Sequence, residues 1–89
     1  MIIMSQDRTR IYNIERISEI VVSDTEICIS DNLRQEEGLV IATYKTEERA
    51  KEVLITIMEW YNKLRTDIVN LIAHSYGIPE YYYFKMPEE

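Results

Sequence analysis

Cysteine, glycine, proline and histidine are all scarce in this 89-residue chain. Cys28 is the only cysteine, which excludes an intrachain disulfide and a cysteine-based zinc site. Glycine stands only at Gly38 and Gly77, so there is no glycine-rich loop to cradle a phosphate. Neither a G-x-S-x-G elbow nor an H-E-x-x-H pair is present. Basic residues are also few, ten against sixteen acids, for a net charge of −6. A bare phosphate backbone attracts a basic surface, so direct nucleic-acid binding is not expected. No apolar run reaches the roughly 18 residues that span a bilayer, and no membrane role is expected. The start Met1-Ile2-Ile3-Met4 is apolar, yet it lacks the flanks of a signal peptide. Together with a free cysteine, this sets the expectation of a cytoplasmic protein.

What is present is a globular composition, 46% hydrophobic, in a length suited to a single domain over 1–89. A chain this short buries only roughly 60–65% of its unfolded surface. Small domains often recover stability by self-association when disulfides and metals are not available.

The chain divides into three stretches. Residues 1–44 carry the period-two alternation of β-branched residues that marks strands. Met1 to Ser5, Arg10 to Ile14, Glu19 to Ser23, Glu26 to Ser30 and Leu39 to Tyr44 read as strands. Gln6-Asp7-Arg8-Thr9 and Asp24-Thr25 read as turns, and Asp31 to Gly38 as an exposed loop. Connections this short make antiparallel neighbours. Residues 46–76 read as one long helix. Thr46 is placed to cap it, and Glu47 and Glu48 sit where the helix dipole favours negative charge. Ala50, Leu54, Ile57, Tyr61, Leu64, Ile68 and Leu71 recur at alternating steps of four and three, with Val53 and Ile72 widening the stripe. Gly77 and Pro79 provide a stop. Residues 78–89 form a C-terminal arm, an extended segment bracketed by Pro79 and Pro87. The fold class expected is α+β: a small antiparallel sheet of four to five short strands, then a long amphipathic helix and an aromatic tail.

The helix carries the argument about function. From Glu47 to about Ser75 it would measure roughly 43 Å, against about 17 Å for a five-residue strand. Either it breaks near Asn62 and folds back on its own sheet, or its distal half packs on something else. The spacing is also that of a coiled-coil seam, with Tyr61 a departure from the ideal pattern. Seven of the nine aromatic residues lie from Trp60 onward, where their mixed character suits an interface. A homodimer is therefore expected, with Trp60, Tyr61, Leu64, Ile68, Leu71, Ile72, Tyr81, Tyr82, Tyr83 and Phe84 as interface residues.

Chemistry has little to build on. His74, in the last helical turn, has no second histidine or cysteine to complete a catalytic set. Cys28, between two isoleucines, reads as a packing residue rather than a nucleophile. Glu36, Glu37, Glu47, Glu48, Glu52, Glu59 and Asp67 are plentiful, but Glu48 and Glu52 stand beside Lys45, Arg49 and Lys51 as on a solvated face. Arg8 and Arg10 flank the first turn with Arg16 nearby, a weak signal for contact with phosphate or an acidic protein. The tyrosine tail has only Lys85 as a nearby cation, opposed by Glu80, Glu88 and Glu89, so packing is favoured over base stacking. No enzyme activity, cofactor or metal is expected.

The segment Leu39-Val40-Ile41-Ala42-Thr43-Tyr44-Lys45-Thr46-Glu47-Glu48-Arg49-Ala50-Lys51-Glu52-Val53-Leu54 resembles a strand-to-helix joint in small uncharacterised proteins of Gram-positive bacteria and their phages. There an apolar strand runs into a Tyr-Lys-Thr-x-Glu-Arg-Ala-x-x-Val-Leu helix start. The opening Ile3 to Ile20, with Ser5-Gln6-Asp7 before a short apolar strand, is similar to their N-terminal hairpin. The resemblance spans roughly residues 1–60. It implies a sheet-plus-helix fold and a phage or mobile-element setting, and it carries no catalytic residue.

The function expected is a non-enzymatic protein-interaction module, a homodimer that binds a host macromolecule. Two alternatives follow from the same residues. One is an acidic inhibitor of a basic host nucleic-acid enzyme, using Asp31, Glu36, Glu37 and the helix acids in place of phosphates. The other is a small-molecule binder or sequestering protein with tyrosines lining a dimer pocket.

Overall fold

The computed structural model describes residues 1–31, 36–74 and 82–89, with side chains described for all of these except 36, 37 and 67–74. The chain is α+β. Its strands are β1 (Ile2–Met4), β2 (Ile11–Asn13), β3 (Ile17–Ser23), β4 (Glu26–Asp31), β5 (Glu36–Thr43) and β6 (Tyr83–Lys85). A 3₁₀ turn covers Ile14–Arg16, and the helix α1 spans Glu47–His74.

The strands divide between two three-stranded sheets, in the orders β2-β1-β6 and β3-β4-β5. The short connections β1–β2, β3–β4 and β4–β5 all join antiparallel pairs. The sixth strand comes from the aromatic tail, which pairs parallel to β1 with Ile3 opposite Phe84. The one sheet expected from sequence is thus two. The expected loop over Asp31 to Gly38 is also shortened, because β5 already begins at Glu36, opposite Asp31. The extra residue this requires falls where the register shifts between Ile29 and Asp31. Gly38 stands there at φ +67, a left-handed angle that a side chain would strain.

α1 runs unbroken through Asn62 for 28 residues, about 42 Å at 1.5 Å per residue, and the molecule's longest dimension is 42 Å. The cap forms as the sequence predicts: Thr46 Oγ1 accepts from the Arg49 N–H at 3.1 Å. Ion pairs Glu47–Lys51 and Arg49–Glu52, each at 3.1 Å, line the solvent side of the first turns. The opposite side buries Ala50, Val53, Ile57 and Leu64 in one core with Ile27, Ile29 and Ala42 of the second sheet and with Met1, Ile3, Phe84 and Met86. Helix and second sheet meet along β3 and β4. Phe84 of β6 meets the edge of Trp60, ring centroids 5.2 Å apart. The tail thus adds apolar cover to a stripe that the expected single sheet was too short to hide.

Gln6 joins the two sheets. Its backbone N–H donates to the Ile41 carbonyl at 2.9 Å. Its side-chain amide then copies a strand residue, accepting from the Thr43 N–H at 2.8 Å and donating to the Thr43 carbonyl at 2.9 Å. The same Nε2 reaches the Glu88 carbonyl at 2.9 Å. Beyond β6 the backbone carbonyls are held one after another: Met86 by Arg8 Nη1 at 2.9 Å, Pro87 by the Tyr44 hydroxyl at 2.8 Å, and Glu89 by Arg49 Nε and Nη2 at 3.1 and 3.0 Å. Burial pushes the Tyr44 phenol up, so it remains a donor.

Asp7 shapes the β1–β2 turn. Its Oδ1 accepts from the Ser5 hydroxyl, the Thr9 hydroxyl and the Thr9 N–H at 2.8, 2.7 and 3.0 Å, and these bonds lower its carboxyl to about 2. A carboxyl lowered in the folded state stabilises above its ordinary value near 3.8 and loses that contribution as pH falls through about 2. Asp7→Asn is therefore expected to narrow its stability gap to wild type as pH drops from 5 to 2, read by thermal melts. A constant gap would show that the turn does not depend on the ionised carboxylate.

Candidate functional site

The pleat of the first sheet sorts its residues onto two sides. Tyr12, Ile3 and Phe84 lie directly across from one another and face the core. The neighbouring rows, Asn13–Ile2–Tyr83 and Ile11–Met4–Lys85, face outward. Four of those six outward residues are apolar or aromatic. Ile11 is 64% exposed and Tyr83 56%, while Ile2 and Met4 are half-buried. Tyr82 packs edge-on against Tyr83 with centroids 5.0 Å apart, which fixes the ring on this face. A three-stranded sheet with polar residues only at two corners is an unusual face to leave open to water. This is the candidate site.

The second sheet has a smaller version. On its side away from the core, Val21, Cys28 and Val40 lie across from one another, and Val21 and Val40 are 40% and 50% exposed. Cys28 between them is buried. Burial first, and the Glu26 carboxylate second, push its thiol up, away from the thiolate a nucleophile requires.

The described interface residues expected from sequence fall into three groups. Leu64 and Phe84 are 2% and 4% exposed and belong to this chain's own core. Trp60, Tyr61 and Tyr82 are half-buried and pack against that core. Tyr61 also donates to Glu15 Oε1 at 3.2 Å, and its phenol is pushed up by burial and by that carboxylate. Tyr83 alone among the described ones is openly exposed. The side chains of Ile68, Leu71 and Ile72, and all of Tyr81, lie outside the described residues, as do the side chains of Glu36, Glu37, Asp67 and His74. Leu64 and Phe84 go inward because the tail folds back as β6, which places Phe84 under Trp60.

Sequence reading missed Ile2, Met4 and Ile11 as surface residues. Alternation in Ile2-Ile3-Met4 shows that one side must point away from the core, and the signal was lost because all three residues are apolar. Of the three arginines near the first turn, Arg8 is occupied by the Met86 carbonyl and by Glu88 at 3.6 Å. Among the described residues no group of three His, Cys, Asp or Glu side chains is placed to hold a metal, and no helix is long and apolar enough to cross a membrane. Compared with protein-family models, with curated proteins and with solved structures, the chain matches none.

Proposed function

We propose that this chain is a non-enzymatic protein-interaction module that pairs with a second copy of itself through the outer face of β2-β1-β6, and as a dimer occupies a surface of a host macromolecule. The observation that carries the reading is the outward apolar set Ile2, Met4, Ile11 and Tyr83 on one small sheet. Two such faces laid together bury like groups against like, the arrangement of a two-fold interface and of packed sheets. The resemblance of the strand-to-helix joint to small phage proteins supports a mobile-element setting. The acids Glu47, Glu48, Glu52 and Glu59 of α1 are exposed, Glu47 and Glu52 within local ion pairs, and offer a negative face to a basic host partner.

Light scattering over a range of concentrations tests this. The wild-type chain is expected at twice its monomer mass. The double variant Ile11→Lys/Tyr83→Lys is expected to dissociate roughly thirtyfold to a thousandfold more readily, the range for two interface residues at about 1–2 kcal/mol each. A wild-type chain that stays monomeric to the highest concentration rules the reading out.

A further inference from the structure

A cleft of about 470 Å³ runs beside the free edge of β2, between Arg10–Asn13 on one wall and Arg16, Ile17 and Asp31 on the other. Three features of its lining point to one kind of occupant.

The first is unpaired backbone. Ser5 N–H donates to the Arg10 carbonyl and Ile14 N–H to the Met1 carbonyl, both at 2.9 Å, and Ile3 lies opposite Tyr12. In an antiparallel ladder these are the bonded pairs, so the N–H and C=O groups of Ile11 and Asn13 point the other way, out from the edge. The Asn13 carbonyl is taken up by the 3₁₀ turn that it caps, which leaves the Ile11 N–H and C=O and the Asn13 N–H without a strand partner among the described residues. The second is charge. Arg10 and Arg16 are exposed, and among the described residues neither guanidinium has a hydrogen bond or ion pair. Two exposed cations on one cleft run against a net charge of −6, although Arg10 also attracts the Asp7 carboxylate of the neighbouring turn. The third is shape. The cleft follows a strand edge, with half-buried Tyr12 and Ile17 as apolar footing.

We propose that this cleft receives an extended acidic peptide of a partner protein, which adds as a short strand to the edge of β2. The peptide's backbone bonds both the N–H and the C=O of Ile11 and accepts from the Asn13 N–H. Its alternate carboxylates meet Arg10 and Arg16, where planar guanidinium suits carboxylate in paired hydrogen bonds. Ile11 borders both the cleft and the outer face, but the cleft uses its backbone and the dimer its side chain, so variants at Arg10 and Arg16 test the cleft without altering that face.

The test uses a fluorescent peptide alternating Glu and Val, with a Gln-Val peptide as its control, read by anisotropy and by amide shifts of the labelled protein. The acidic peptide is expected to saturate, to move the Ile11 and Asn13 amides, and to bind at least about tenfold more weakly to Arg10→Gln/Arg16→Gln. Raising the salt should weaken it further, as for any pair of exposed charges. Neither guanidinium has a hydrogen bond or ion pair among the described residues, so the variant should keep a urea midpoint close to wild type, which separates lost binding from lost structure. Equal binding of the Gln-Val peptide, absence of binding, or an unchanged affinity in the double variant each overturns the proposal. Displacement by inorganic phosphate at an affinity matching the peptide's overturns it in favour of a small-oxyanion site.

Discussion

Replacing Leu64 with alanine is expected to lower stability by about 3 kcal/mol at every protein concentration. Leu64 is 2% exposed and belongs to the core formed by α1 and both sheets. Truncating a buried leucine removes its transfer free energy and leaves a cavity, about 2–5 kcal/mol in all. Against a total of roughly 5–13 kcal/mol for a chain of this length, that is a large share. The urea midpoint should fall by about 2 M for a slope near 1.5 kcal/mol per molar. Trp60, the only tryptophan, reports the transition from within the same packing layer. The concentration series is the informative part. A residue buried between subunits loses stability in a manner that shrinks as the protein is concentrated, because mass action restores the assembly. A loss of that form would return Leu64 to an interface and contradict its place in the single-chain core.

Gln6→Ala should cost about 2–3 kcal/mol, although Gln6 sits in a turn and is only half-buried. Its amide makes bonds to both backbone groups of Thr43 and to the Glu88 carbonyl, with a longer contact to Pro87 at 3.3 Å. Each such bond contributes about 0.5–1.5 kcal/mol net, and a partner left without water costs more. Gln6→Glu gives a sharper comparison. It keeps the acceptor for Thr43 N–H but turns a carboxylate oxygen toward three carbonyls. Its carboxyl should then be raised in the folded state, so the destabilisation relative to wild type should grow as pH rises from 4 to 7. The sign follows because a proton supplies the donor that the carboxylate lacks. Equal stability of wild type and Gln6→Glu at pH 7 would show that the two sheets are not held through this amide.

Local patterning made much of the fold legible. The alternation in Ile20-Val21-Val22 and Ile27-Cys28-Ile29 assigns faces to β3 and β4, and the Asp24-Thr25 turn between them is read directly. Thr46 and the acids after it fix the start of α1 to the residue. The tail was harder. Tyr83-Phe84-Lys85 has no turn chemistry linking it to β1, and its partner strand lies about 80 positions earlier, so the pairing is decided by tertiary packing alone. The candidate site was obscured for the same reason. Whether Tyr83 or Phe84 faces outward depends on register against Ile2 and Ile3, and a slip of one residue would exchange them. Gln6 gave no signal, because a glutamine in a turn looks like any solvated side chain until Thr43 and Glu88 are brought to it.

The parallel pairing of β6 with β1 orders events during synthesis. The second sheet and the start of α1 need only near neighbours and form as soon as they emerge. The first sheet must wait for its last strand. At about 5–20 residues per second, some 4–14 s separate the emergence of Asn13 from that of Lys85. Through that interval Ile3 has a hairpin partner and no lid. Nascent chains of this protein are therefore expected to be held by chaperones through the N-terminal hairpin, with release timed to the arrival of Phe84. The slow step in refolding of the finished chain should be the closure of this longest loop.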